Sequence, residues 1–167
     1  QDWAEGDNIL IATPTGSGKS TFILKCLLPY ASACQKHIVY VCNRKALREQ
    51  FTVKSNLELQ HYFGQSVTVP QNELPLLHIL TYQYCEVSRQ FPNFIVQPDL
   101  SGISQIEQKR LEVDGKLPQP VRMTSSDVLY YVFDEAHYLL NDSLFNSGTN
   151  FWLGKLRSNS CIKLFLT

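Results

Sequence analysis

The chain has 167 residues, of which 44% are hydrophobic and 18% are charged. That length suits one compact domain with a substantial core and leaves little room for a second. Fifteen basic residues balance fifteen acidic ones, which excludes a strongly cationic surface, so any nucleic-acid contact has to be local. No apolar run reaches the roughly 18 residues that a membrane span needs. We therefore expect no membrane partner.

The amino-terminal residues lack the basic start and apolar core of a signal peptide. Five cysteines are scattered along the chain without a CxxC pair. An odd, dispersed set of this kind argues against a disulfide framework and favours reduced thiols. The predicted localisation is therefore cytoplasmic.

Apolar runs and helical periodicities alternate along much of the chain. Short apolar runs predict strands at residues 9–12, 37–42, 76–81, 128–133 and 162–166. Apolar residues at helical spacing predict helices at residues 20–30 and 45–54. Strands that alternate with helices predict an α/β fold, in which helices flank a mainly parallel sheet.

Two stretches do not follow this alternation. Residues 88–126 contain four prolines and one helix-like piece near 105–111, so we expect an insertion within the domain. Residues 141–143 are Asn, Asp and Ser, which predicts a turn and helix cap before an amphipathic helix.

A glycine-rich loop, TPTGSGKS at residues 13–20, lies between the first predicted strand and helix. Gly16 and Gly18 allow backbone N–H groups to face phosphate oxygens, and the start of the helix adds a positive dipole end. Lys19 can reach the β- and γ-phosphates, and the Ser20 hydroxyl can bind Mg²⁺. The predicted nucleotide-binding residues are Thr15, Gly16, Ser17, Gly18, Lys19, Ser20 and Thr21.

An acidic motif, Asp-Glu-Ala-His at residues 134–137, directly follows the run of apolar and aromatic residues that forms the strand predicted at 128–133. Ligands of open α/β sheets bind at the carboxyl ends of strands, and the glycine-rich loop follows the first strand at that same edge. Asp134 is predicted to hold Mg²⁺ with Ser20, and Glu135 to position and deprotonate the attacking water. His137 is predicted to sense the γ-phosphate or a neighbouring domain. The predicted catalytic residues are Lys19, Asp134, Glu135 and His137.

Together these motifs resemble those of superfamily 2 helicases and translocases of the DEAD/DEAH-box kind. Residues 13–20 are similar to motif I, and residues 134–137 are similar to motif II. Weaker similarities to motif Ia, to the threonine-containing motif that follows it, and to the approach to motif III lie at residues 41–50, 80–83 and 164–167.

This resemblance implies a RecA-like lobe that binds ATP and Mg²⁺ and couples hydrolysis to movement along nucleic acid. Family members have a second RecA-like lobe that supplies arginine fingers, and an adenine-reading glutamine well upstream of the lysine. We expect both to lie outside residues 1–167, so that the lobe is incomplete at both ends. Since an arginine finger contributes about 10³–10⁵ in rate, weak ATP hydrolysis by the isolated chain is expected.

The predicted nucleic-acid contacts are Arg44, Thr81 and Gln83. Arg44, Lys45 and Arg48 lie at the start of a predicted helix, where cations oppose the helix dipole unless a phosphate binds; a solvated basic turn is the alternative. Thr81 and Gln83 could bond a backbone phosphate, or form only a strand end and an exposed amide. The motif Ia region lacks the Pro-Arg-Arg pattern of DEAH RNA helicases, so DNA is favoured over RNA.

Two alternative functions stay open. The chain could be a different P-loop NTPase, such as a nucleotide kinase or GTPase, although it contains no Asn-Lys-x-Asp guanine-reading motif. It could also be a truncated lobe that acts as a non-catalytic binding module, although its intact Lys19 and Glu135 argue against degeneration. The following tyrosines are predicted to be packing residues: Tyr82, Tyr84, Tyr130, Tyr131 and Tyr138.

Overall fold

The computed structural model describes residues 3–14, 16–43, 76–88, 91–98, 100, 102–143 and 147–167. Its strands, in chain order, are β1 (Asn8–Ile11), β2 (His37–Cys42), β3 (Leu77–Thr81), β4 (Phe94–Val96), β5 (Val121–Met123), β6 (Val128–Phe133) and β7 (Ile162–Leu166). Its α-helices are α1 (Lys19–Phe22), α2 (Leu28–Ala33), α3 (Tyr82–Val87), α4 (Gln105–Val113), α5 (His137–Ser143) and α6 (Ser147–Arg157). The helix predicted at residues 45–54 lies outside the described residues.

A parallel sheet forms the centre of the fold. Five strands pair in the order β1-β7-β6-β2-β3, and each described pairing is parallel. Of the inner strands, β6 and the part of β2 after His37 read as continuous runs of apolar and aromatic residues, because side chains of both faces are buried. All five carboxyl ends therefore meet at one edge. The predicted α/β fold with a mainly parallel sheet flanked by helices is confirmed.

Each face of the sheet packs into its own core. On one face, Ile23 and Leu24 from the helical segment after the glycine-rich loop are fully buried against strand residues such as Leu164. The other face is aromatic: Phe133 stacks on Trp152 and on Phe165, with ring centroids 5.9 and 5.3 Å apart. Helix α6 thus seals the strand that ends in the acidic motif.

A π-helical turn interrupts the helix that follows the glycine-rich loop. Between α1 and α2, residues Ile23–Leu27 form π-helical bonds, and the Leu28 N–H donates to the Ile23 carbonyl. Pro29 follows at the start of α2 and lacks the N–H that would continue the α-helical ladder, which accounts for the offset. The predicted helix is confirmed, but it begins one residue earlier than Ser20 and extends to Ala33.

Residues 88–126 contribute strands that do not pair with the central sheet. Strands β4 and β5 pair with each other in an antiparallel two-stranded sheet. Between them, α4 begins after Ser104, whose hydroxyl accepts a hydrogen bond from the Glu107 N–H at 3.3 Å. The helix-like piece predicted near 105–111 is therefore present and extends to Val113.

The turn predicted at residues 141–143 is wrong. These residues end α5, and α6 begins at Ser147. Buried Ala136 and Leu139 anchor the start of α5 in the core, so helical structure already begins at His137, the last residue of the acidic motif. Cap-forming residue types can end a helix as well as precede one, and composition alone does not distinguish the two cases.

Among the described helices, none combines the length and the apolar character required to cross a lipid bilayer.

Candidate functional site

The glycine-rich loop joins the end of β1 to the start of α1. Gly16 and Gly18 adopt φ angles of 81° and 91°, a left-handed conformation that glycine adopts at little cost. A Cβ atom added at either glycine would meet nothing within 4 Å, so the space beside the loop is open. The glycines are therefore required by the backbone conformation and not by crowding.

Hydrogen bonds within the loop hold its curvature. The Ser17 hydroxyl donates to Thr13 Oγ1 at 2.9 Å, and the Ser17 N–H donates to the Pro14 carbonyl at 3.2 Å. The Phe22 N–H donates to the Gly18 carbonyl at 2.8 Å and closes the first helical turn. Thr15 lies outside the described residues. The loop thus turns back on itself directly before the helix.

Lys19 reaches from the first residue of α1 to the ends of two strands. Its ammonium donates to the Thr13 and Thr167 carbonyls, at 3.1 Å each. The Thr13 N–H also donates to the Thr167 carbonyl at 3.1 Å. Beside this ammonium lies a cavity of about 230 Å³, bounded by the loop and by Ile11, Phe22 and Leu166.

The acidic motif is bonded to the strands on both sides of β6. The Asp134 N–H donates to the Val41 carbonyl of β2 at 2.9 Å, and the Ala136 N–H donates to the Leu166 carbonyl of β7 at 2.8 Å. Lys19 bonds the next carbonyl in the chain, that of Thr167. The lysine of the loop and the acidic motif therefore lie at the same edge of the sheet, on adjacent peptide units.

Two tyrosines contact Asp134. The Tyr40 hydroxyl donates to Asp134 Oδ2 at 2.5 Å, and the Tyr82 hydroxyl donates to the Asp134 carbonyl at 2.8 Å. Burial, followed by the nearby Asp134 charge, raises the pKa of both phenols far above the usual range. Both hydroxyls therefore stay protonated and act as donors.

Glu135 follows at a strained position. Its φ angle is 51°, which a residue with a side chain adopts rarely. Its N–H donates to Asp134 Oδ1 at 3.1 Å, and its carbonyl accepts from the Tyr138 N–H at 3.0 Å. Glu135 thus lies in the turn between β6 and α5, and its side chain is half-buried.

The remaining predicted catalytic and nucleotide-binding residues differ in exposure. Ser20 and Thr21 are half-buried in α1, directly after Lys19. His137 is exposed at the start of α5, and its ring lies against that of Tyr138 with the centroids 4.7 Å apart. The structure thus gathers the loop, Lys19 and Asp134 at one edge, and gives His137 a more peripheral place.

The residues predicted to contact nucleic acid follow β2 and β3. Arg44 lies outside the described residues. Thr81 is buried and caps α3, where its hydroxyl accepts from the Tyr84 N–H at 3.3 Å. Gln83 is exposed and borders a cavity of about 190 Å³, together with Asn43 and Tyr138.

Sequence reasoning missed the contacts that Tyr40 and Tyr82 make with Asp134, and it assigned Tyr82 to packing alone. A usable signal exists for Tyr40, which stands in a strand that is otherwise apolar apart from its first residue. A buried phenol normally finds a hydrogen-bond partner, so its position near the end of β2 points toward the site.

A parallel sheet that carries a glycine-rich loop and an acidic pair at one edge defines a P-loop NTPase domain of RecA-like architecture. A family model described as "Type III restriction enzyme, res subunit" matches residues 3–162. The chain belongs to this family, whose domains are ATP-dependent, helicase-type NTPases of superfamily 2. A search of curated proteins found no match.

Proposed function

We propose that this chain is the ATP-binding and ATP-hydrolysing lobe of a DEAH-type nucleic-acid helicase or translocase. One observation carries the proposal: Lys19 and Ala136, which follows the acidic pair, bond to the consecutive carbonyls of Thr167 and Leu166. We further propose that residues 1–167 form a single RecA-like lobe and that residues 88–126 are an insertion within it.

The glycine-rich loop fits a nucleoside triphosphate. Its two left-handed glycines and the open space beside them allow backbone N–H groups to approach phosphate oxygens. The Lys19 ammonium directs two of its three donors to the Thr13 and Thr167 carbonyls. It lies beside the cavity, where its charge would neutralise phosphate charge. We propose that residues 15–21 form the phosphate-binding segment.

The donor set at this edge fits Mg²⁺. A carboxylate from Asp134 and a hydroxyl from Ser20 are the oxygen ligands that this cation prefers. When bound, Mg²⁺ would neutralise charge that develops between the phosphates. Asp134 also keeps free lone pairs, since a carboxylate offers about four acceptor positions and the Tyr40 and Glu135 bonds use one on each oxygen.

Glu135 is proposed as the general base. It would orient the attacking water and take its proton on the carboxylate. His137 is proposed to respond to the γ-phosphate or to a neighbouring domain, in keeping with its exposed position. A second RecA-like lobe is proposed to supply arginines, so we expect the isolated chain to hydrolyse ATP slowly.

Nucleic acid is proposed to lie across the ends of β2 and β3. Gln83 is exposed there and can donate to a phosphate, while Thr81 and Arg44 are the other proposed contacts. Two observations favour DNA over RNA. The sequence around Arg44 lacks the Pro-Arg-Arg pattern of DEAH RNA helicases, and the matching family is named for a restriction enzyme subunit.

Single-turnover ATP hydrolysis with and without single-stranded DNA or RNA tests this proposal. Glu135→Gln should bind ATP normally but hydrolyse it at least about 100-fold more slowly, whereas Lys19→Ala should lose ATP binding. Glu107→Gln, which makes the same chemical change on the exposed face of α4, serves as the control and should match wild type.

Unchanged hydrolysis in Glu135→Gln would refute the assignment of the base. Equal competition by GTP would instead favour a different P-loop NTPase. Nucleotide binding without hydrolysis, in the presence and absence of nucleic acid, would favour a non-catalytic binding module.

A further inference from the structure

Asp134 is held at two points by tyrosines from neighbouring elements. The Tyr40 hydroxyl from β2 donates to the carboxylate at 2.5 Å, and the Tyr82 hydroxyl from α3 donates to the main-chain carbonyl at 2.8 Å. One bond acts on the orientation of the side chain, and the other acts on the backbone that carries it.

The sheet register explains why Tyr40 reaches the carboxylate. Tyr40 pairs with Val132 across the parallel β2–β6 ladder. Asp134 lies two residues beyond Val132, so its side chain leaves the same face of the sheet. Tyr40 is only 3% exposed, and its ring lies within the core with the hydroxyl directed toward the edge where Asp134 begins the acidic motif.

Packing fixes Tyr82 as well. Its ring stacks on those of Phe133 and Trp152, with centroid separations of 6.4 Å and interplanar angles of 12° and 21°. Such packed rings have little rotational freedom, so the Tyr82 hydroxyl is held against the Asp134 carbonyl. This is also the carbonyl directly before Glu135, whose φ angle of 51° needs support from its surroundings.

We infer that Tyr40 and Tyr82 are positioning residues for the Mg²⁺–ATP site, an inference that rests on the metal-binding role proposed for Asp134. Tyr40 occupies one lone pair of Oδ2 and fixes the carboxylate plane, while other lone pairs stay available for the cation. Tyr82 fixes the backbone at the start of the reversal that carries Glu135. Hydrogen bonds from groups that do not themselves bind the metal orient the metal ligands, and their loss typically costs about 10- to 100-fold in metal affinity.

Tyrosine-to-phenylalanine variants test the inference, because they remove one hydroxyl and keep the ring. The measurement is the Mg²⁺ concentration that half-saturates binding of a fluorescent ATP analogue. Tyr40→Phe should raise this concentration about 10-fold, and affinity measured without Mg²⁺ should not change. Tyr82→Phe should shift it in the same direction by less, since it acts through the main chain, and provides an independent test if Tyr40→Phe folds poorly.

Tyr131→Phe is the matched control. Its hydroxyl is also buried and donates to a carbonyl, that of Pro92, at 2.9 Å. A purely structural effect of losing a buried phenolic bond should therefore appear in all three variants as a lower melting temperature. A shift in the Mg²⁺ requirement should appear only in Tyr40→Phe and Tyr82→Phe.

The outcomes separate the inference from the proposed function. If wild type binds the analogue without any dependence on Mg²⁺, or does not bind it, the proposed function fails and the inference fails with it. If wild type depends on Mg²⁺ and both variants have the half-saturating concentration of Tyr131→Phe, the positioning role alone is refuted.

Discussion

The left-handed backbone at Glu135 predicts a trade between stability and activity. Its φ angle is 51°, and this conformation costs a residue with a side chain about 1–2 kcal/mol. Glycine avoids this cost but loses about 0.5–1 kcal/mol more conformational entropy on folding than alanine does. Glu135→Gly should therefore be more stable than Glu135→Ala by about 0.75 kcal/mol, the difference between the centres of these two ranges, although neither variant retains the proposed base.

Comparing glycine with alanine removes the contribution of the carboxylate, since both variants lack it. The assay is urea denaturation followed by circular dichroism, supported by the melting temperature. For a domain of this size, 1 kcal/mol corresponds to about 2–4 °C, so Glu135→Gly should melt roughly 1–4 °C above Glu135→Ala.

Gln35 offers a matched control for the free-energy cost of the left-handed backbone. Its φ angle is 54°, and it follows α2 at an exposed position far along the chain from the acidic motif. Gln35→Gly should exceed Gln35→Ala in stability by a similar amount, and both should bind ATP as wild type does. A Glu135→Gly variant that is less stable than Glu135→Ala, while the Gln35 pair behaves as described, would refute the strain at Glu135.

Two further predictions concern His78 and Thr81, two buried polar residues of β3. Burial, followed by the nearby His37, lowers the pKa of His78 to about 4. Between about pH 6.5 and pH 4, His78 therefore binds a proton in the unfolded chain but not in the folded chain. The free energy of unfolding should fall as the pH is lowered through this range. His78→Gln should flatten this loss in denaturant titrations, and an unchanged pH dependence would contradict the prediction. Thr81→Ala should cost about 1 kcal/mol through loss of the α3 cap, and reduced affinity for single-stranded DNA should accompany it only if Thr81 also binds phosphate. Thr81→Ser is the control for both measurements, because it keeps the hydroxyl.

Much of the sheet could be predicted from sequence because its inner strands are buried on both faces. β2, β6 and β7 have the bounds that their apolar runs indicate. β1 begins one residue earlier than predicted and ends at Ile11. It lies at the edge of the sheet with alternating exposure, so no sharp change in hydrophobicity marks its limits.

The motifs of the site could also be predicted, because a tight glycine turn and a pair of carboxylates after a buried strand are local patterns. The supports of the site could not. The Tyr40–Asp134 bond joins residues 94 positions apart, and it depends on the pairing of β2 with β6, which a single sequence does not reveal. The same holds for the Lys19 bond to the Thr167 carbonyl, which needs β7 beside β1.

The aromatic stack on one face of the sheet gives the two halves of the site unequal stiffness. Phe133, Phe165 and Trp152 form a wall directly behind the acidic motif, so the carboxylate side should keep one shape whatever is bound. The loop has an open front, and the contacts described above that tie it to the sheet are the bonds of the Thr13 N–H and the Lys19 ammonium to the Thr167 carbonyl. A bound ligand would therefore contact a rigid surface at the acidic motif and a more adjustable surface at the glycine-rich loop. Conformational change on binding should be confined to the loop.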